Sequence, residues 1–90
     1  MLKDKTILVT GASSGIGYAT AIECANQGAF VYLAGRNTEA LNSLHQKISN
    51  SAVLVYDVTD ESQVKQAFSE IMKTTGKLDG LVNCAGIMLD

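Results

Sequence analysis

The chain has 90 residues, a formal net charge of −2 and a hydrophobic fraction of 47%, which suits one small globular domain and excludes a disordered composition. Its lysines are scattered rather than clustered, which argues against nucleic acid or an anionic membrane as the main partner. Cys24 and Cys84 lack the spacing of a disulfide framework or a zinc site, so we expect no bound metal and a cytoplasmic location. We also expect no signal peptide and no transmembrane segment.

A strand, a helix and a second strand are predicted at the start of the chain. Thr6–Thr10 is a short apolar and β-branched run that ends at a glycine, as a buried strand does. From Ile16 onward the apolar residues follow helical spacing, and Gly28 is expected just beyond the end of this helix. The run Phe30–Ala34 (FVYLA) predicts the second strand.

A second helix and a third strand are predicted next. Asn37 or Thr38 is expected to cap this helix at its N-terminus. The run Ala52–Tyr56 (AVLVY) predicts the third strand. The apolar stripe of the helix consists of Leu41, Leu44 and Ile48.

The third helix carries the most regular apolar stripe in the chain. Thr59 is expected to cap it, with Asp60 and Glu61 in the first turn, where the helix dipole favours anions. Gly76 is expected to end it, and Leu78–Asn83 predicts the fourth strand. The stripe consists of Val64, Ala67, Phe68, Ile71 and Met72.

The alternation of strands and helices predicts an α/β fold. We expect a doubly wound, Rossmann-like parallel sheet in the strand order 3-2-1-4, partial in extent, with helices on both faces. Residues 1–90 would then be the N-terminal part of a single dinucleotide-binding domain. In such sheets a ligand binds beyond the carboxyl ends of the strands, where strands 1 and 4 diverge, so segments 10–17 and 83–86 are expected at the site.

The segment after the first strand has two interpretations. Gly11–Gly15 (GASSG) fits G-x-S-x-G, the turn that presents the serine of a hydrolase. That chemistry needs an acid and then a histidine downstream, whereas His45, the only histidine, is expected to be a solvated helix residue. Glu23 and Glu39 are the only acids between Ser13, the serine of this pattern, and His45, and neither lies at the carboxyl end of a later strand. A P-loop is excluded because the required Lys and Ser/Thr are absent.

The second interpretation is a glycine-rich turn that holds a pyrophosphate. One glycine allows the turn out of the strand, one lets the backbone approach the phosphates, and one lets the helix pack closely. Backbone N–H groups at the start of the helix then point at the anion, and the serines are donors or turn formers rather than nucleophiles. The residues expected at this turn are Gly11, Ser13, Ser14, Gly15, Ile16 and Gly17.

Arg36 follows the last of these glycines by about 20 residues, at the end of the second strand. An acid at this position accepts a hydrogen bond from a ribose 2′-hydroxyl, whereas an arginine suits a 2′-phosphate. The neighbouring Asn37 offers a further donor. We therefore expect NADP(H) to be the preferred cofactor, with NAD(H) as the alternative.

Three motifs, in the same order along the chain, resemble those of the short-chain dehydrogenase/reductase family, and the resemblance extends over the whole chain. Thr10–Gly17 (TGASSGIG) resembles its T-G-x-x-x-G-x-G, Asp57-Val58 its adenine-contacting pair, and Asn83–Gly86 (NCAG) its N-N-A-G. The segment Gly35–Asn37 (GRN) resembles the NADP-preferring members. The resemblance implies that the Asp57 carboxylate accepts from the adenine amino group, that Asn83 helps to fix the central sheet, and that Ala85 and Gly86 border the adenosine ribose.

The chain departs from the family pattern in three respects. Cys84 replaces the second asparagine and is interpreted as a small buried residue. Ser14 stands where many NADP-binding members have a basic residue, so phosphate recognition depends more on Arg36. The catalytic serine and the Tyr-x-x-x-Lys pair of the family have no counterpart, because the residues four positions after Tyr18, Tyr32 and Tyr56 are Ile22, Arg36 and Asp60.

The resemblance therefore implies the adenosine half of a cofactor site without catalytic residues. The complete protein would be an enzyme of about 250 residues, a homo-oligomer that transfers hydride between nicotinamide and a carbonyl or alcohol substrate. Gly86–Asp90 (GIMLD) faintly resembles members that reduce 3-oxoacyl thioesters. A nucleotide-binding module without catalysis and a truncated remnant are the alternatives. An open edge at the fourth strand predicts poor solubility of the isolated segment.

Overall fold

The computed structural model describes residues 1–13 and 15–84. The four strands form one parallel sheet in the order β3-β2-β1-β4. The predicted α/β fold and strand order are therefore confirmed. The elements in chain order are β1 (Thr6–Thr10), α1 (Gly15–Asn26), β2 (Phe30–Gly35), α2 (Thr38–Lys47), β3 (Ser51–Val55), α3 (Glu61–Thr74) and β4 (Gly80–Asn83).

The central strand β1 is buried along its whole length because helices cover both faces of the sheet. Side chains alternate between the faces, so Ile7 and Val9 pack in one core and Leu8 in the other. The first core holds Leu41 and Leu44 of α2, and the second holds Ala67 and Ile71 of α3. Full burial of each such leucine stabilises the fold by about 1.5–3 kcal/mol.

The C-terminal end of α1 and the N-terminal end of α2 agree with the sequence pattern, whereas α2 ends one residue earlier than predicted. Gly28 lies just beyond α1, where its N–H donates to the carbonyl of Ala25. Asn37 rather than the residue after it caps α2, since its Oδ1 accepts from the N–H of Ala40 at 3.0 Å. Ile48, predicted on the stripe of α2, is the residue that follows the helix, and it is buried there.

The predicted cap of α3 is wrong by one residue. Asp60 is the N-cap, and its carboxylate accepts from the N–H groups of Ser62 and Gln63. The hydroxyl of Thr59, the expected cap, instead donates to Asp57 at 2.6 Å. The threonine hydroxyl is therefore engaged outside the helix, and the next residue supplies the acceptor for the free N–H groups.

The two outer strands differ slightly from their predicted bounds. β3 runs over Ser51–Val55 rather than one residue later, and β4 begins at Gly80 rather than at Leu78. Asp79 precedes β4, and its side-chain oxygen Oδ2 accepts the N–H of Thr6 at 2.8 Å. A side chain thus takes the bond that a strand carbonyl would otherwise accept, which delays the start of β4.

The buried stripe of α3 is narrower than predicted. Ala67 and Ile71 are buried, but Phe68 and Met72 are 40% and 54% exposed. Leu81 of β4, the strand at the edge of the described sheet, is 53% exposed as well. Among the described helices α3 is the longest at 14 residues, and none of them is long and apolar enough to cross a membrane.

Candidate functional site

A cleft of about 570 Å³ lies where the chain leaves β1, β2 and β3. All three strands are parallel, so their carboxyl ends and the loops that follow them meet at one edge of the sheet. The volume is in the range of small-molecule and cofactor sites. The predicted residues that line the cleft are Gly11, Ser13, Gly15, Ile16, Gly17, Arg36, Asn37, Asp57 and Val58.

The remaining predicted residues lie elsewhere. Asn83 is at the end of β4 and does not line the cleft. Its side-chain oxygen Oδ1 accepts from the hydroxyl of Thr10 at 2.7 Å, which links the last residues of β4 and β1. Ser14, Ala85 and Gly86, predicted at the phosphates and the ribose, are outside the described residues.

Four further residues line the cleft although the sequence patterns did not select them: Gly35, Tyr56, Thr59 and Cys84. Gly35 and Cys84 lie inside two of the quoted motifs without having been selected as site residues, whereas Tyr56 and Thr59 adjoin the Asp57-Val58 pair and would have been found by extending it by one residue on each side. Cys84 is buried, in agreement with its interpretation as a small buried residue. Burial raises the pKa of Tyr56, which keeps this phenol protonated at neutral pH.

The turn after β1 brings the start of α1 against the strand. A β-carbon on Gly17 would lie 2.0 Å from the carbonyl oxygen of Gly11, so only glycine permits this approach. A β-carbon on Gly15 would meet no other atom within 4 Å, so the backbone there is open to a ligand. The first turn of α1 contains no acidic side chain. A helix N-terminus with this geometry attracts anions through its dipole and its free N–H groups.

The end of β2 contributes a cation and an amide. Arg36 is exposed, and within residues 1–13 and 15–84 its guanidinium makes no hydrogen bond or ion pair. Its planar donors therefore remain available to an anion. The Oδ1 of Asn37 is engaged in capping α2, which leaves the Nδ2 amide group as the part of this side chain that can donate.

The end of β3 holds a fixed carboxylate. Asp57 Oδ1 accepts from both the hydroxyl and the N–H of Thr59, at 2.6 and 2.9 Å. These hydrogen bonds, the hydroxyl first, lower the pKa of the Asp57 carboxyl, and the charge of Arg36 acts in the same direction. The carboxylate is therefore ionised at neutral pH and is an acceptor only.

The hydrolase interpretation has no support in the geometry. His45 lies on the exposed face of α2, as predicted, and its Nδ1 is 2.7 Å from the hydroxyl of Ser51. It is absent from the cleft that Ser13 lines, so that serine has no histidine base beside it. The cleft is built from backbone, a cation and a carboxylate, which suits ligand binding rather than nucleophilic attack.

Comparison with known proteins gives one family. The family model described as short chain dehydrogenase matches residues 5–90. The chain is 46% identical to glycine betaine reductase of Emericella nidulans, covering 97% of this chain and 7% of that protein. It is 43% identical to an uncharacterized oxidoreductase of Staphylococcus aureus, covering 99% of this chain and 39% of that protein. Its fold is similar to the crystal structure of glucose dehydrogenase of Caenorhabditis elegans, with a TM-score of 0.85 and 37% identity over 91% of this chain and 38% of that one. The chain therefore spans less than two fifths of the length of each of these relatives.

Proposed function

Since the chain belongs to the short-chain dehydrogenase/reductase family, we propose that it forms the adenosine-binding part of an NADP(H)-dependent oxidoreductase. The observation that carries the proposal is the meeting of a helix N-terminus, Arg36 and Asp57 around one cleft. When bound, the nicotinamide of the cofactor gives or takes a hydride. The substrate is a small molecule with a carbonyl or alcohol group, and 3-oxoacyl thioesters are one class of candidate.

The turn after β1 would bind the pyrophosphate. Gly15 leaves space beside its backbone that a side chain would fill, and Gly17 holds the start of α1 against the strand. The N–H groups of the first helical turn, including that of Ile16, then donate to phosphate oxygens. Ser13, which lines the cleft, and Ser14 are proposed to add hydroxyl donors. The absence of an acid in this turn supports the binding of an anion.

The end of β2 would bind the 2′-phosphate that distinguishes NADP(H) from NAD(H). Arg36 can present a two-pronged donor to phosphate oxygens, which a lysine or a neutral residue cannot do. The free amide group of Asn37 adds a second donor beside it. The N-terminus of α2 begins immediately afterwards, so its dipole also favours a negative charge here.

The end of β3 would bind the adenine. Asp57 is proposed to accept from the amino group of the ring, and the exposed apolar surface of Val58 to contact the ring itself. Ala85 and Gly86 are proposed to border the ribose. Asn83 is proposed to stabilise the sheet beside the site, which the hydrogen bond from Thr10 supports.

We also propose a cytoplasmic location for the protein. Cys24 and Cys84 are both free thiols, which is consistent with a reducing compartment. Burial raises the pKa of the Cys24 thiol, with the charge of Glu23 acting in the same direction, so this thiol stays protonated. We propose that the complete protein is a homo-oligomer that acts on small molecules and binds neither nucleic acid nor membrane.

Calorimetric titration of the protein with NADPH and with NADH tests the proposal. We expect both to bind, and NADPH to bind more tightly by roughly tenfold or more, because a charge-assisted hydrogen bond contributes about 1.5–3 kcal/mol. Adenosine 2′,5′-bisphosphate should compete with NADPH, since it carries the adenine and the 2′-phosphate alone. Failure of all three nucleotides to bind would overturn the proposal, and equal affinities for NADPH and NADH would overturn the cofactor preference.

A further inference from the structure

A side chain in the first turn of α3 is hydrogen-bonded to the backbone of Asp57, a residue that lines the cleft. In a capping box, the side chain three residues after the N-cap bonds back to the N–H of the cap itself. Here the cap is Asp60 and the third residue is Gln63, which are suitable residue types. The Gln63 Oε1, however, accepts from the N–H of Asp57 at 2.9 Å, three residues before the cap.

Gln63 also bonds to the cap with its other side-chain atom. Its Nε2 donates to Asp60 Oδ2 at 3.2 Å, and its N–H donates to Asp60 Oδ1 at 3.2 Å. The N–H of Asp60 in turn donates to the carbonyl of Asp57 at 3.0 Å. The backbone of Asp57 is therefore bonded through both its N–H and its carbonyl to the start of α3, which fixes the position of its α-carbon.

Thr59 fixes the carboxylate of the same residue. Both of its donors reach Asp57 Oδ1, the N–H at 2.9 Å and the hydroxyl at 2.6 Å. Among the described residues no group donates to Oδ2. One carboxylate oxygen is therefore satisfied within the protein, and the other is left as the acceptor for a ligand.

We propose that Thr59 and Gln63 are positioning residues that present Asp57 Oδ2 as a single, oriented acceptor for the 6-amino group of adenine. This inference rests on the proposed binding of a dinucleotide in the cleft. A fixed acceptor can bond to an amino group but repels the carbonyl oxygen of a 6-oxo purine. The protein should therefore distinguish NADPH from its hypoxanthine analogue, in which a carbonyl replaces the amino group.

The test compares the Kd of NADPH with that of its hypoxanthine analogue by calorimetry on the full chain. Wild-type protein should prefer NADPH by about tenfold or more, since a hydrogen bond to a charged acceptor is at stake. Thr59→Val removes the hydroxyl donor, and Gln63→Met removes the acceptor for the Asp57 N–H. Each should reduce the preference to about threefold or less, because Asp57 can then rotate or shift.

Two variants serve as matched controls. Thr59→Ser keeps the hydroxyl and should keep the preference. Ser62→Ala removes the hydroxyl that donates to Asp60 Oδ1 at 2.9 Å, so it weakens the same helix cap without touching Asp57. It should lower the melting temperature yet leave the preference unchanged, which separates positioning from stability.

The outcomes are distinct. An unchanged preference in both Thr59→Val and Gln63→Met, with NADPH still bound, would overturn the positioning role and leave the proposed function intact. A loss of preference in Ser62→Ala equal to that in Gln63→Met would also overturn it, because helix stability alone would then set the preference. Failure of wild-type protein to bind either nucleotide would overturn the proposed function and this inference with it.

Discussion

Gly17 is held against the carbonyl oxygen of Gly11, where a β-carbon on Gly17 would be only 2.0 Å away. This contact fixes where α1 begins relative to β1. It also aims the free N–H groups of the helix at the cleft. The same glycine thus determines both local packing and the geometry of the candidate phosphate site.

Substitution of the two helix-start glycines should affect stability very differently. Gly17→Ala should lower the free energy of unfolding by roughly 3 kcal/mol or more, because the new methyl group clashes with backbone that cannot move aside. Gly15→Ala should cost only about 1 kcal/mol, the strain of a positive φ, because the space beside it is open. Urea denaturation measures both values. Equal small losses would contradict the described packing of α1 on β1.

Arg36→Ala should weaken NADPH binding much more than NADH binding. The arginine is exposed and makes no hydrogen bond within the described part of the chain, so its removal should leave stability within about 0.5 kcal/mol of wild type. Loss of a charge-assisted bond to the 2′-phosphate should weaken NADPH by roughly tenfold to a hundredfold. Titrations with both cofactors check this. An equal loss of affinity for the two cofactors would contradict the role of Arg36.

Asn37→Asp should separate the capping role of this residue from its proposed role in binding. An aspartate keeps an Oδ1 that accepts the N–H of Ala40, so the stability of α2 should be retained. The substitution replaces the amide group by a second carboxylate oxygen, whose charge repels a 2′-phosphate. NADPH should therefore bind several-fold more weakly while NADH is little affected, as measured by calorimetry. Unchanged NADPH affinity would show that the phosphate lies elsewhere.

Stability should fall in acid rather than near neutral pH. Hydrogen bonds from Thr59, Ser62 and Thr6 lower the pKa values of Asp57, Asp60 and Asp79, respectively, in the folded protein. Each carboxyl therefore stabilises the fold above its unfolded pKa, and this contribution is lost as the pH falls through its lower folded pKa.

The free energy of unfolding due to these groups should thus be level above about pH 5 and decline below about pH 4. Urea denaturation at a series of pH values measures the decline, and Asp79→Asn, which cannot ionise, should make it shallower. A steeper decline in this variant would contradict the attribution to Asp79.

The elements that the sequence predicted well are those fixed by local patterns. The apolar run of β1 predicted that strand, and residue preferences narrowed the cap of α2 to Asn37 or Thr38, of which Asn37 is the cap. The strand order followed from the alternation of strands and helices, because right-handed crossovers leave few topologies.

The features that the sequence missed depend on competition between neighbouring groups. Thr59 and Asp60 are both residue types that favour the N-cap of a helix. Asp60 caps α3 because the hydroxyl of Thr59 is bonded to Asp57. The bond from the Asp57 N–H to Gln63 joins a loop to a helix in three dimensions, and no spacing rule predicts it. The exposure of Phe68 likewise depends on how much of α3 the sheet covers.

Whether the cleft binds the adenosine half of the cofactor is tested most directly by the change in backbone amide chemical shifts when adenosine 2′,5′-bisphosphate is added to the protein. We expect saturable shifts for Gly15, Gly17, Arg36 and Asp57 around the cleft. Residues at the opposite end of the sheet, around Lys5 and Lys77, should be unaffected. Shifts confined to that opposite end, or no shifts at millimolar nucleotide, would contradict binding of the nucleotide in the cleft.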